Sequence, residues 1–220
     1  MTEIIEIGLT LEIFSGVLGL ILSAVFFKRY LRNLTFKKYL PIPKMAPLWA
    51  GFFSLFHGIN NLTWFISDLP GVESLTLAII GYVTYGLIPL FGIFFTTDIL
   101  NYKKREINTA SSILISIFVI LTFAFSPVRV LIDDIGFWIL SSASFYFYVP
   151  IMAMSFIPSI LFILFTIKTR NRKGILLALG FLFPAIFESV IEANMLLPLF
   201  ITNLFEASGL LLIYSGYSMK

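Results

Sequence analysis

The sequence predicts an all-α polytopic membrane protein of seven transmembrane helices, and three observations carry that prediction. Of 220 residues, 59% are hydrophobic and 12% charged, about half the charge of a typical soluble domain. The mean hydropathy of +0.98 is more than one water-soluble core can hide. Seven apolar stretches reach the ~20 residues that cross a bilayer, and basic clusters sit in alternate connections between them.

The stretches cover 8–28, 46–67, 75–100, 107–127, 144–168, 174–195 and 199–218. The opening "MTEIIEIGLTLEIF" is acidic, whereas a cleavable signal peptide starts basic, so the first stretch reads as a retained helix. The second, from "WAGFFSLFHGINN", and the third, with Pro89 and glycines 81, 86 and 92, are long enough to span. The fourth carries no charged residue. Before the fifth lies "GFWILSSASFYFYVP", which reads as an interfacial or re-entrant piece, with Pro150 and Pro158 permitting a bend. The sixth contains Pro184, and the seventh ends at the C-terminus.

Charge sets the expected orientation. "KRYLRNLTFKKYLPIPK", "NYKKRE" and "KTRNRK" follow the first, third and fifth helices, while "SDLPGVES", "SPVRVLIDD" and "NMLLPLF" occupy the other ends. Basic loops stay in the cytoplasm. The N-terminus is therefore expected outside and Lys220 in the cytoplasm, with Arg129 the one discordant residue. The cell membrane is the expected location. No loop is long enough for a separate domain, so residues 1–220 read as a single transmembrane domain. The thirteen residues from Trp49 and the thirteen from Leu177 ("LALGFLFPAIFES") suggest that helices one to three and five to seven are parallel repeats about a linking fourth.

Polar residues inside the apolar stretches mark the candidate site. At about 1.5 Å per residue, Glu188 lies ~20 Å from the cytoplasmic boundary, His57 ~17 Å, Asn61 ~22 Å and Glu206 ~18–20 Å. These four share a layer near the middle of a core about 30 Å thick, with Glu192 and Asn203 nearer the outer face. Helical spacing puts His57, Asn61 and Trp64 on one stripe, Glu188 and Glu192 on another, and Asn203 and Glu206 on a third. A charge at the bilayer centre costs at least about 2.5–3.5 kcal/mol, so these groups should face the bundle interior. No lysine or arginine lies deep in any stretch. The bland reading is interhelical glue, contributing about 0.6 kcal/mol per hydrogen bond on average. Asp98, beside "NYKKR", is expected to pair with that basic loop. Glu12 is expected to be wet at the outer end of its helix, and Trp49, Trp64 and Trp138 to pack or mark the interface.

Composition excludes several chemistries. The chain has no cysteine and one histidine, so disulfides, thiolate metal sites and bis-histidine haem within this chain are ruled out. The net charge of +3 comes from loop clusters and does not point to nucleic acid. Seven helices, an external N-terminus and this length resemble microbial rhodopsins in topology alone. The last helix, "FITNLFEASGLLLIYSGYSMK", has no lysine before the terminal one, so no core Schiff base with retinal can form. Seven-helix zinc hydrolases match in topology too, but their several histidines are missing. Shared topology without motifs shows no family, and no cofactor is expected.

The expected function is binding or transport of a proton- or cation-linked small solute through a cavity lined by His57, Asn61, Glu188, Glu192, Asn203 and Glu206. Glu188 and Glu206 are the expected protonatable pair, with His57 as relay. Pro89, Pro184 and the third-helix glycines supply flexibility. A receptor-like or accessory subunit, or a homo-oligomer, is the alternative. Small-residue faces at Ser15, Gly16 and Gly19, and at Ser208, Gly209 and Gly216, suit a partner helix. A metal-dependent intramembrane enzyme built on His57, Glu188 and Glu206 is a third reading.

Overall fold

The computed structural model describes residues 2–35, 45–67, 69, 72, 74–101, 103–132, 135–193 and 199–218. It contains seven helices: α1 (Thr2–Thr35), α2 (Ala46–Ser67), α3 (Leu75–Leu100), α4 (Lys104–Ala124), α5 (Ser142–Thr169), α6 (Arg172–Ala193) and α7 (Leu199–Ser218). Six of the seven agree with the apolar stretches to within three residues at each end, whereas α1 extends six residues before and seven beyond its stretch. Between α4 and α5 lies an antiparallel hairpin, β1 (Val128–Ile132) and β2 (Ile135–Ile139), in register Val128↔Ile139 through Ile132↔Ile135.

Where the sequence suggests an interfacial or re-entrant piece before α5, the chain forms this hairpin and then enters α5 at Ser142. β-branched and aromatic residues flank a two-residue connection, which is hairpin chemistry. Tyr82 of α3 donates its hydroxyl to the Trp138 carbonyl at 2.6 Å, tying the hairpin to the helix bundle. Ser141 then caps α5 by accepting from the Ser144 amide, as Ser74 caps α3 through Leu77, each satisfying an amide at a helix start.

Among the described residues, four helical segments, Thr10–Leu34, Leu75–Leu100, Lys104–Ala124 and Ser142–Thr169, are long and apolar enough to cross a membrane. Helix α2 is not among them because His57, Asn60 and Asn61 fall within little more than one turn and lower its hydropathy. The outer faces carry the lipid-compatible stripes. Phe14, Val17, Ile21 and Val25 on α1, Ile113, Ile117 and Ile120 on α4, and Ile160, Leu164 and Ile167 on α5 are all exposed. Meanwhile Glu12, His57, Asn60, Asn61, Asn203 and Glu206 are buried. Apolar outside and polar within is the opposite of a water-soluble domain.

Each helix packs on its chain neighbour, α7 closes back on α1, and α3 also meets α5. Thus α1–α2–α3 and α5–α6–α7 each pack in order, with α3 touching α5 and α7 touching α1. Phe53 and Phe181, fifth in the two similar thirteen-residue segments, meet with ring centroids 5.1 Å apart.

Glycines allow the closest helix approaches. A Cβ on Gly19 would stand 2.8 Å from the Gly58 nitrogen and the Ser54 oxygen, and one on Gly209 would stand 2.7 Å from the Gly180 oxygen. The small-residue faces expected to meet a partner helix are therefore spent inside the chain, Gly16 and Gly19 against α2 and Gly209 and Gly216 against α6. At the basic end Lys104 donates to Asp98, whose side chain is 8% exposed, as the sequence anticipates for that aspartate.

Candidate functional site

Asn61 projects from α2 between α1 and α7. Its amide nitrogen donates to the Ser15 hydroxyl of α1 at 2.7 Å and to Oε2 of Glu206 on α7 at 2.7 Å. An amide carries two N–H donors, so both are committed, and three helices are joined through one side chain. Asn61 is 4% exposed and Glu206 6% exposed.

The surrounding positions extend this polar cluster. Glu12 stands one turn before Ser15 on α1 and is 4% exposed. It is not a wet residue at a helix end; α1 continues outward to Thr2 and packs Glu12 inside the bundle. Thr202 and Asn203, one turn before Glu206, are also buried, and Thr202 Oγ1 meets no hydrogen-bond partner. Glu188 and Glu192 belong to the backbone of α6, but their side chains lie outside the described residues.

His57, one turn before Asn61, looks elsewhere. It lines a cavity of about 10 Å³ together with Phe53, Pro89, Gly92, Ser155, Pro158, Phe181, Pro184 and others from α2, α3, α5 and α6. That is about the space one water molecule needs. His57 is 1% exposed, and neither ring nitrogen makes a hydrogen bond, nor does the buried hydroxyl of Ser155. The shared cavity expected from the sequence is thus divided. Asn61 and Glu206 meet in a cluster of α1, α2 and α7, and His57 enters a separate small cavity beside it. Residues of one helical stripe face different neighbours because α2 is hemmed by several helices.

Three of the cavity residues are prolines inside helices: Pro89 of α3, Pro158 of α5 and Pro184 of α6. Each removes one N–H from its helical ladder and weakens the turn before it. An aromatic layer lies against the cavity. Phe53 meets the His57 ring edge-on at 4.6 Å, and Phe181 contacts Phe53, Phe95 and Phe162. Phe95 and Phe162 are fully buried behind it.

Other buried polar groups serve packing. Asn60, a neighbour of Asn61 but about 100° around the helix, donates to the Gly81 carbonyl at 2.8 Å and to Thr84 Oγ1 at 3.1 Å, clamping α2 to α3. Ser159 donates to the Ala178 carbonyl at 2.9 Å, joining α5 to α6. Sequence reasoning passes over Asn60 and Ser155, and it places Ser15 on a small-residue face for a partner helix rather than on Asn61. The adjacent "NN" signals two helix faces, but a lone serine in an apolar helix carries no signal of its partner.

The chain matches no family model, no curated protein and no solved structure. Among the described residues, no three histidine, aspartate or glutamate side chains gather as a metal-holding group.

Proposed function

We propose that this chain is a cell-membrane transporter for a proton- or cation-linked small solute, spanning the bilayer seven times with its N-terminus outside and its C-terminus in the cytoplasm. The observation that carries this reading is the buried Asn61–Glu206 pair, with Ser15 as second partner of the amide. A carboxyl group deep in a membrane bundle is costly to ionise, and its protonation or its capture of a cation changes the balance of the surrounding packing. Glu206 is the protonatable group in this reading, Asn61 orients it, and the hydroxyls of Ser15 and Thr202 offer further exchange partners. His57 and Ser155 line the separate small cavity rather than this pair's surroundings.

The small cavity and the aromatic layer around Phe53 and Phe181 fit a closed state, with hinges at Pro89, Pro158 and Pro184 as the means of opening. Movement of one half of the bundle against the other would expose the site alternately, the mode expected of repeat-built carriers. Glu188 takes part as a second carboxylate from α6.

The test is proton uptake into liposomes under an imposed pH gradient, for wild type, Glu206→Gln and Glu188→Gln. Carboxylate-dependent transport predicts uptake in wild type that Glu206→Gln abolishes. Equal background leak in all three would sink proton conduction and favour an accessory-subunit role.

A further inference from the structure

The ends of α1 and α7 enclose a second feature, remote from Glu206. A groove of about 350 Å³ is lined by Val25, Lys28, Arg29, Arg32, Tyr214 and Ser218, a volume that suits a small ligand. Arg29 is already oriented. Its guanidinium lies 4.8 Å over the Tyr217 ring, and Nη1 donates to Ser218 Oγ at 3.1 Å. Among the described residues the one ion pair is Asp98–Lys104, so within that set none of these three cations has a carboxylate within 4 Å. Three positive charges and a hydroxyl converge on an open groove, which is recognition chemistry for a phosphate group.

The helix faces choose the form in which that phosphate arrives. Ile21, Val25, Lys28 and Arg32 fall on one stripe of α1, turning from exposed apolar side chains to cations along its length. Leu211, Tyr214 and Ser218 form the facing stripe of α7, with the same apolar-to-polar order. Phe26 packs against Tyr214 and Tyr217 at 5.9 and 5.8 Å and closes the floor between the helices. The segment Thr10–Leu34 is apolar enough to span a membrane, so the cations stand at the level where it leaves the hydrocarbon. A free phosphate would use the charges and leave the apolar part of the groove unexplained.

We propose that this groove binds the phosphodiester headgroup of an anionic membrane lipid, with an acyl chain along Ile21, Val25 and Leu211. The site does not depend on the transport reading, because it needs only a bilayer around α1 and α7. Lys28 and Arg32 hold the phosphate from outside, and Arg29, locked between Tyr217 and Ser218, fixes its position. Basic grooves between membrane helices commonly take such lipids.

Native mass spectrometry of the detergent-solubilised chain, titrated with phosphatidylglycerol or phosphatidylcholine, tests this. The comparison variant is Lys28→Gln/Arg32→Gln, whose side chains are both exposed. At about 1 kcal/mol per basic residue near a lipid surface, losing both weakens phosphatidylglycerol binding about thirtyfold. The expected result is a discrete phosphatidylglycerol adduct in wild type, its loss in the double variant, and no comparable phosphatidylcholine adduct. Equal adducts from both lipids, or an undiminished adduct in the double variant, would overturn the proposal. Displacement of phosphatidylglycerol by an equal concentration of inorganic phosphate would assign the groove to free phosphate and overturn the lipid.

Discussion

Asn61 of α2 and Glu206 of α7 are hydrogen-bonded at 2.7 Å across 145 residues of sequence. The same amide reaches Ser15, so one side chain fixes the relative positions of α1, α2 and α7. Removing it leaves a buried carboxyl and a buried hydroxyl to find new partners. Hydrogen bonds inside membrane bundles average about 0.6 kcal/mol with a maximum near 1.7. Asn61→Ala is therefore expected to lower unfolding free energy by about 1–2 kcal/mol, measured by reversible denaturation in mixed micelles. A change within about 0.3 kcal/mol of zero would mean the pair contributes no stability.

His57 offers the opposite signature. Both of its nitrogens are buried without partners, and an unsatisfied buried polar group costs about 1–3 kcal/mol. His57→Phe is expected to leave stability unchanged or raise it by about 1 kcal/mol, while slowing proton uptake into liposomes. The same unfolding assay checks the first half. A loss of about 2 kcal/mol or more would mean the imidazole is bonded in the folded protein.

Helix spacing makes a third prediction. A methyl group on Gly19 meets backbone atoms of Ser54 and Gly58 at 2.8 Å, whereas one on Gly216 meets the side chain of Leu177 at 3.0 Å. Backbone cannot step aside, but a leucine can shift. Gly19→Ala is expected to cost about 1–3 kcal/mol and Gly216→Ala clearly less. Equal costs would contradict the close α1–α2 contact.

Orientation is open to labelling without a background, since the chain has no cysteine. Val72→Cys lies between α2 and α3, and Glu106→Cys in the first turn of α4. A membrane-impermeant maleimide applied to intact cells is expected to label the first and to reach the second only after permeabilisation. The reverse pattern would invert the proposed topology.

The helices were legible because a membrane span imposes a length and an apolar composition that few other elements share. Asp98 was legible for a similar reason, since a lone acid beside "NYKKR" has an obvious partner. The hairpin at 128–139 was harder: its alternation is short and sits between long apolar runs, so it reads as one more greasy segment. In the candidate site, residue type pointed to Asn61 and Glu206, and estimated depth put them in one layer. Which neighbour each side chain meets depends on helix rotation and crossing, which spacing along one helix does not contain. That is why His57 shares a stripe with Asn61 yet enters another cavity, why Ser15 reads as a partner-facing residue yet meets Asn61, and why Ser155 carries no signal. Glu12 was misjudged because helix α1 continues outward past it for another ten residues.

The central claim is that Glu206 exchanges protons with the aqueous phase while held by Asn61. Infrared difference spectroscopy of the protein in bilayers, taken across a pH titration, measures that exchange directly. The account predicts a carboxyl C=O band that responds reversibly to bath pH, disappears in Glu206→Gln and shifts in Asn61→Ala. A spectrum in which no pH-responsive carboxyl band is lost on substituting Glu206 would contradict it, and the cluster would be interhelical packing alone.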